Sequence, residues 1–279
     1  MTEPKRTRVL VRGAGEIASA IAHLLFRKGA AVALQASRPP IAIRRPMAFS
    51  DAVFNGSAKL EGLTAQRITD PIQSESVWAV GRIPLLYCDF SQALNGCAWD
   101  GLVDARMNKQ HRPEPQIGLA PLVIGMGPGC VIGINVDVAV ETSWDSLGQI
   151  IRQGETMILA GEPRAVLGHA RDRFRYAPKT GTLRAIAEIG QEVHPGEAIA
   201  SIDDLLVTAV FHGVVRGLTH DGVPVEAGNK IAEIDPRIGS VKLSGIDERP
   251  RRIAEAVAAI VVERFPFAQN IGNYAILDV

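Results

Sequence analysis

The stretch Arg8-Val-Leu-Val-Arg-Gly-Ala-Gly-Glu-Ile-Ala-Ser-Ala20 decides the fold. Val9, Leu10 and Val11 form a short apolar run of strand type, and Gly13 and Gly15 let the chain reverse. From Glu16 the apolar residues fall at helical spacing, Ile17, Ile21, Leu24 and Leu25, until Gly29 supplies a stop. Ala18 stands where the third small residue of G-x-G-x-x-G/A belongs, allowing helix and strand to pack closely. A helix N-terminus behind such a turn favours anions, because unpaired N–H groups and the helix dipole point at one spot. Gly13, Ala14, Gly15, Glu16, Ile17 and Ala18 are therefore candidates to cradle a phosphate; the alternative is a glycine turn without a ligand.

The next strand, residues 31–36, ends at Gln35, followed by Ser37 and Arg38. A carboxylate for a ribose 2′-OH is expected there in NAD binding, and none is present. Arg38 suits a 2′-phosphate, so NADP fits better than NAD, and another phosphorylated ligand stays open. Arg44 and Arg45 follow on a proline-bounded loop, either as a clamp for a small anionic ligand or as solvated charge. Ser50 is placed to cap a short helix from Asp51 to Phe54.

Apolar runs at 83–90, 101–107, 121–124 and 131–140, with helical or loop segments between some of them, predict a mostly parallel, Rossmann-like sheet. Asp104, near the end of one run, is a candidate catalytic group or a hydrogen-bonded loop carboxylate. A second glycine turn, Gly125, Gly127 and Gly129, offers a backbone nest for an anion or a plain turn. Cys130 directly after it is a nucleophile if a positive potential lowers its pKa, and a small buried hydrophobe otherwise. No metal ligand is expected from the sequence.

Residues 177–203 and 209–235 repeat at an offset of 32, with Gly181/Gly213, Arg184/Arg216, Gly190/Gly222, Gly196/Gly228 and Asp203/Asp235 identical. Each copy reads as a β-hairpin unit, and two such units must share one core. The pair resembles the barrel-sandwich module of biotinyl and lipoyl carriers, but the connection 204–208 has no lysine, which argues against a swinging arm. Ile253, Val257, Ile260 and Val261 predict a closing helix, ended by Pro266, that packs on the first domain. The expected organisation is a Rossmann-like domain over 1–168, a barrel-sandwich hybrid over 169–238 and a C-terminal helical segment over 239–279.

The chain has 279 residues, 47% hydrophobic and 22% charged, with 30 basic residues balanced by 30 acidic ones. That balance gives no field for nucleic acid or an anionic membrane. No apolar run reaches membrane-spanning length, and the polar N-terminus is not a signal peptide. Three cysteines without zinc spacing point to reduced thiols in the cytoplasm.

Taken in order, the Val-Arg-Gly-Ala-Gly-Glu-Ile-Ala opening, the Pro-x-x-Ile-Arg-Arg loop, the Pro-Leu-Val-Ile-Gly-x-Gly-Pro-Gly turn and the Ile-Asp-Pro-Arg ending resemble the YqeB-type, selenium-dependent molybdenum hydroxylase accessory family. The resemblance implies maturation of a molybdenum hydroxylase, a molybdopterin-type cofactor and the apo-enzyme as partner. Gly13, Gly15, Glu16, Arg44 and Arg45 would then hold the cofactor's phosphate or nucleotide. The alternatives are an NADP-dependent oxidoreductase and a non-catalytic binding or scaffold protein; self-association into a homo-oligomer stays open.

Overall fold

The computed structural model describes residues 6–107, 112–157 and 163–265. The first part runs β1 (Arg8–Arg12), α1 (Glu16–Arg27), β2 (Ala31–Ala36), α2 (Ala52–Asn55), β3 (Ser57–Leu60), β4 (Leu63–Ile68), α3 (Ser74–Ala79) and β5 (Ile83–Tyr87). It continues with α4 (Phe90–Asn95), β6 (Gly101–Asp104), β7 (Leu122–Met126), β8 (Val138–Val140) and β9 (Ile150–Ile151). The second part holds β10 (Phe174–Tyr176), β11 (Gly181–Ala185), β12 (Glu192–Val193), β13 (Ala198–Ile202), β14 (Leu205–Thr208), β15 (Gly213–Leu218), β16 (Pro224–Val225) and β17 (Lys230–Asp235), before α5 (Glu248–Arg264).

Strands β1 to β9 form one sheet in the order β3-β4-β5-β2-β1-β6-β7-β8-β9. β1 sits centrally because every residue of Val9-Leu10-Val11 is buried, which only a strand covered on both faces allows. Its alternation divides the core. Val9 and Val11 join α1 and α5 in one apolar cluster, whereas Leu10 joins Val77, Trp78 and Ala93 from α3 and α4 in another. The spacing of Ile253, Val257, Ile260 and Val261 lays α5 against α1 in the first cluster, and the expected stop at Pro266 lies outside the described residues.

The expected mostly parallel, Rossmann-like sheet is corrected to a large mixed one, parallel in its middle and antiparallel at its edges. β3 pairs antiparallel with β4, and β9 antiparallel with β8, so both edges depart from the parallel pattern. The β3–β4 hairpin escaped notice because its strands are short and half polar. Its signal was Glu61-Gly62, whose φ values of 39° and 81° make a two-residue turn. Phe90, expected within a strand, instead opens α4, because Asp89 forms a capping box with Gln92. Of the run 131–140, only 138–140 is strand. Ser50 does not cap α2; the N-cap is Asp51, and the buried Ser50 hydroxyl has no partner among the described residues.

The repeat builds two four-stranded antiparallel sheets, ordered β10-β17-β15-β12 and β14-β13-β11-β16. Each copy gives up its shortest strand to the other sheet: β12 pairs with β15, and β16 with β11. Replacing each strand by its repeat partner (10 with 14, 11 with 15, 12 with 16, 13 with 17) turns one sheet order into the other. The expected hairpin units are thereby corrected to interlocked halves, and neither half could bury Leu183, Val193, Val215, Val225 and Ile234 alone.

The loop before α2 joins the two parts. Ile43 O accepts from Leu218 N at 2.7 Å, and a side chain on Gly217 would meet the Ile43 backbone at 3.1 Å, a crossing that a Cβ would crowd. Nearby, Ser19 Oγ inside α1 accepts from Phe49 N at 2.8 Å, with both residues fully buried. Ser19→Ala strands that N–H and is expected to lower unfolding stability by about 1–3 kcal/mol in urea titration. The exposed Ser57→Ala control should stay within about 0.5 kcal/mol.

Candidate functional site

The carboxyl ends of the parallel strands carry a polar row. Arg12 is in register with Gln35 on one side and Asp104 on the other, and Asp104 is in register with Gly125. Ligand groups in open α/β sheets collect at this edge. Asp104 is buried and accepts from Arg106 Nη2 at 2.6 Å and from Gln116 Nε2 at 2.7 Å. Arg12 donates to Glu114 at 2.6 Å and to Gln116 at 2.8 Å, and its guanidinium lies 3.6 Å over the Phe90 ring.

Burial disfavours the charged form of each carboxyl here, but the arginines outweigh it. Asp104 stays below its ordinary pKa through Arg106, and Glu114 falls to about 2 through Arg106 and Arg12. Asp104 is thus a hydrogen-bonded, ionised carboxylate with its oxygens occupied, which suits structure better than proton transfer. Cys130 is buried, and burial with the charge of Asp104 pushes its thiol up to about 12. It stays protonated near neutrality, so the expected nucleophile is corrected to a packed thiol beneath Gly125.

The first glycine turn takes the expected shape. Gly13 has φ 114° and faces the Ala105 carbonyl at the 3.2 Å where a Cβ would sit, so only glycine fits. Gly15 is the N-cap of α1, no side chain caps the helix, and the space a Cβ would take at Gly15 is open. Ala14, Ile17 and Ala18 are buried behind it. Glu16 stands at the first helical position, where the dipole favours a carboxylate.

Arg44 and Arg45 are already engaged by groups of the protein itself. Arg44 Nε binds Glu233 Oε2 at 2.6 Å and its Nη1 binds Glu16 at 3.2 Å. Burial works against the Arg44 charge, but Glu16 and Glu233 more than restore it. Arg45 bridges Asp51 at 2.9 Å and the Leu218 carbonyl at 2.8 Å. The expected clamp is therefore corrected: protein carboxylates and a carbonyl already hold both guanidinium groups. Gln35 is buried with its amide on the Cys88 carbonyl, and Arg38 is exposed beyond β2. Gly127 and Gly129 have φ near 80°, and Gly127 backs onto Thr142, beside the edge.

Sequence reasoning missed Arg249. It lies on the first turn of α5 and donates through Nε and Nη2 to the Thr142 carbonyl, at 3.0 and 2.8 Å. Burial lowers its pKa, Glu16 offsets part of that, and Arg44 adds repulsion. Among the described residues no carboxylate lies within ion-pair distance of it, and the buried Thr142 hydroxyl has no partner. The signal was weak, a single arginine in the charged run that opens α5.

No family model matches the chain. YqeB of Escherichia coli (strain K12), described as an uncharacterized protein, is 33% identical over 252 residues, covering 89% of this chain and 46% of the relative. Over those residues this chain is similar to YqeB. It spans about half the length of that relative. Among solved structures it aligns with a succinylglutamate desuccinylase/aspartoacylase from Rhodobacter sphaeroides, at 17% identity, 52% of this chain, 63% of the other and a TM-score of 0.22. An aspartoacylase family protein from Mesorhizobium loti aligns at 9% identity, 83% of this chain, 85% of the other and a TM-score of 0.24.

The relative is named as an uncharacterized protein and its name says nothing of molybdenum, so maturation of a molybdenum hydroxylase is withdrawn as the reading of this chain. The barrel-sandwich designation expected of residues 169–238 is withdrawn in favour of the two interlocked four-stranded antiparallel sheets described above. At such TM-scores the alignments transfer no reaction. Among the described residues, no helix is long and apolar enough to cross a membrane.

Two outcomes test the charge network. Glu233 is fully buried among Arg44, Arg173 and Arg216. Glu233→Ala leaves those charges uncompensated and should cost about 3–5 kcal/mol in chemical unfolding. Asp104 and Glu114, with folded pKa values depressed, add stability that is complete above their unfolded values. It fades as pH falls from there toward about 2. Arg106→Gln should make the urea midpoint lower at neutral pH and less sensitive to acid over that window; an unchanged acid slope would remove Arg106 as the cause.

Proposed function

We propose that the carboxyl edge of the nine-stranded sheet binds a small phosphorylated anion, held by the N-terminus of α1, the Arg249 guanidinium and the Thr142 hydroxyl. The supporting observation is the concentration of unspent donors there: an α1 terminus without a side-chain cap, an arginine without a carboxylate partner and a buried hydroxyl without a hydrogen bond. Helix N–H groups supply direction, Arg249 supplies charge, and the hydroxyl supplies a third point. Glu16 limits the site to ligands that can sit beside a carboxylate, which favours a phosphate approached from the Gly15 side, where space is open. For a dinucleotide, the end of β2, with Gln35 and Arg38 and no carboxylate, favours NADP over NAD.

Calorimetric titration with orthophosphate, pyrophosphate, NADP and NAD tests this reading. Arg249→Ala should weaken the tightest of them by about tenfold or more, the loss of one charge-assisted hydrogen bond. Arg44→Gln should lower stability and leave affinity within about twofold, because that guanidinium is spent on Glu233. Equal affinities in wild type and Arg249→Ala, or no binding to wild type, would defeat the proposal.

A further inference from the structure

Where β12 pairs with β15 in the repeat, Glu192, His194 and His212 converge on one face of the sheet. Their ligand atoms all lie within 4.8 Å of one another. The strand register makes this a built arrangement. β12 pairs antiparallel with β15, with Glu192 opposite Val214 and Val193 opposite Gly213, so the next step places His194 opposite His212. Val193 points into the core, which turns its neighbours Glu192 and His194 to the outer face. The two imidazoles lie parallel with centroids 4.3 Å apart, and His212 Nε2 is 2.6 Å from Glu192 Oε1.

We propose that Glu192, His194 and His212 form a site for one divalent transition-metal ion of zinc type. Two imidazole nitrogens and one carboxylate oxygen are a donor set that zinc takes readily, with a fourth position left for water. Bonds of about 2.0–2.2 Å in a tetrahedron put donor atoms about 3.3–3.6 Å apart, within reach of small rotations of these exposed side chains. The ion would replace the His212–Glu192 hydrogen bond and join β12, from the first copy of the repeat, to the start of β15 in the second.

The repeat supplies an internal comparison. At the offset of 32, Glu192, His194 and His212 correspond to Pro224, Glu226 and Thr180. The fold presents both positions alike, yet the second keeps one of three donors. The cluster is therefore a feature of these three side chains and not a by-product of the architecture. The turn is held without the imidazoles: the Glu197 carboxylate accepts from His194 N at 3.0 Å and the Gln191 side-chain oxygen accepts from Glu188 N at 3.0 Å.

Titration of the metal-free chain with Zn2+ against a chromogenic chelator should find one ion per chain. Melting temperature should rise with added Zn2+, because the ion binds the folded arrangement of two strands. His194→Ala and His212→Ala should each weaken binding by about tenfold or more and remove most of that rise, with Glu192→Gln weakening it less. All three positions are exposed, so unliganded variants should melt close to wild type. Co2+ should give visible bands of four-coordinate nitrogen and oxygen ligation in wild type and lose them in His212→Ala. Glu226→Gln, on the pseudo-symmetric face, should bind as wild type does. Wild-type affinity in both histidine variants, an equal loss in Glu226→Gln, or no Zn2+ binding to wild type would overturn the site.

Discussion

A single buried carboxylate holds the two halves of this protein in place. Glu233, on β17 and fully buried, receives Arg44 from the loop after β2 and Arg173 from the approach to β10, with Arg216 of β15 3.6 Å away. Arg44 continues to Glu16 on α1, and Arg216 to Asp247 at the cap of α5, at 2.7 Å. One chain of charge thus links the first turn of α1, the repeat sheets and the closing helix. Charges taken out of water tolerate no missing partner, which makes this arrangement specific even where its net contribution to stability is small.

That network also decides what is left for ligands. Arginines at a glycine-turn edge invite a phosphate reading, but a guanidinium held on a buried carboxylate has no reason to release it. The polar row of Arg12, Asp104, Arg106 and Glu114 is closed in the same way, each cation facing an anion. What stays open is the helix terminus at Gly15 and the arginine that faces only a carbonyl. Which charges at this edge remain available is set by which lack a partner rather than by how many are present.

The repeat shows a second constraint. Strands of two residues, such as β12 and β16, cannot hold a sheet edge within their own copy, so each is stabilised by the other copy's longer strand. This exchange buries one core between the halves and brings the outer residues of β12 beside the start of β15. The juxtaposition of His194 and His212, 18 positions apart, follows from that pairing.

Local pattern was enough for β1, α1, β2, the glycine turn and the face of α5, because each rests on neighbours within a few residues and on a simple periodicity. The repeat was equally legible, since identity at a fixed offset needs no structure. Tertiary structure decided the rest. Partner choice for Arg44, Arg45 and Asp104 depends on residues up to 189 positions away, as with Arg44 and Glu233. Whether Cys130 is reactive depends on burial and on the charge of Asp104. The antiparallel edges depend on short, half-polar strands that gain stability only from a neighbour. Sequence periodicity records which face a residue shows; it does not record which distant charge or strand that face will meet.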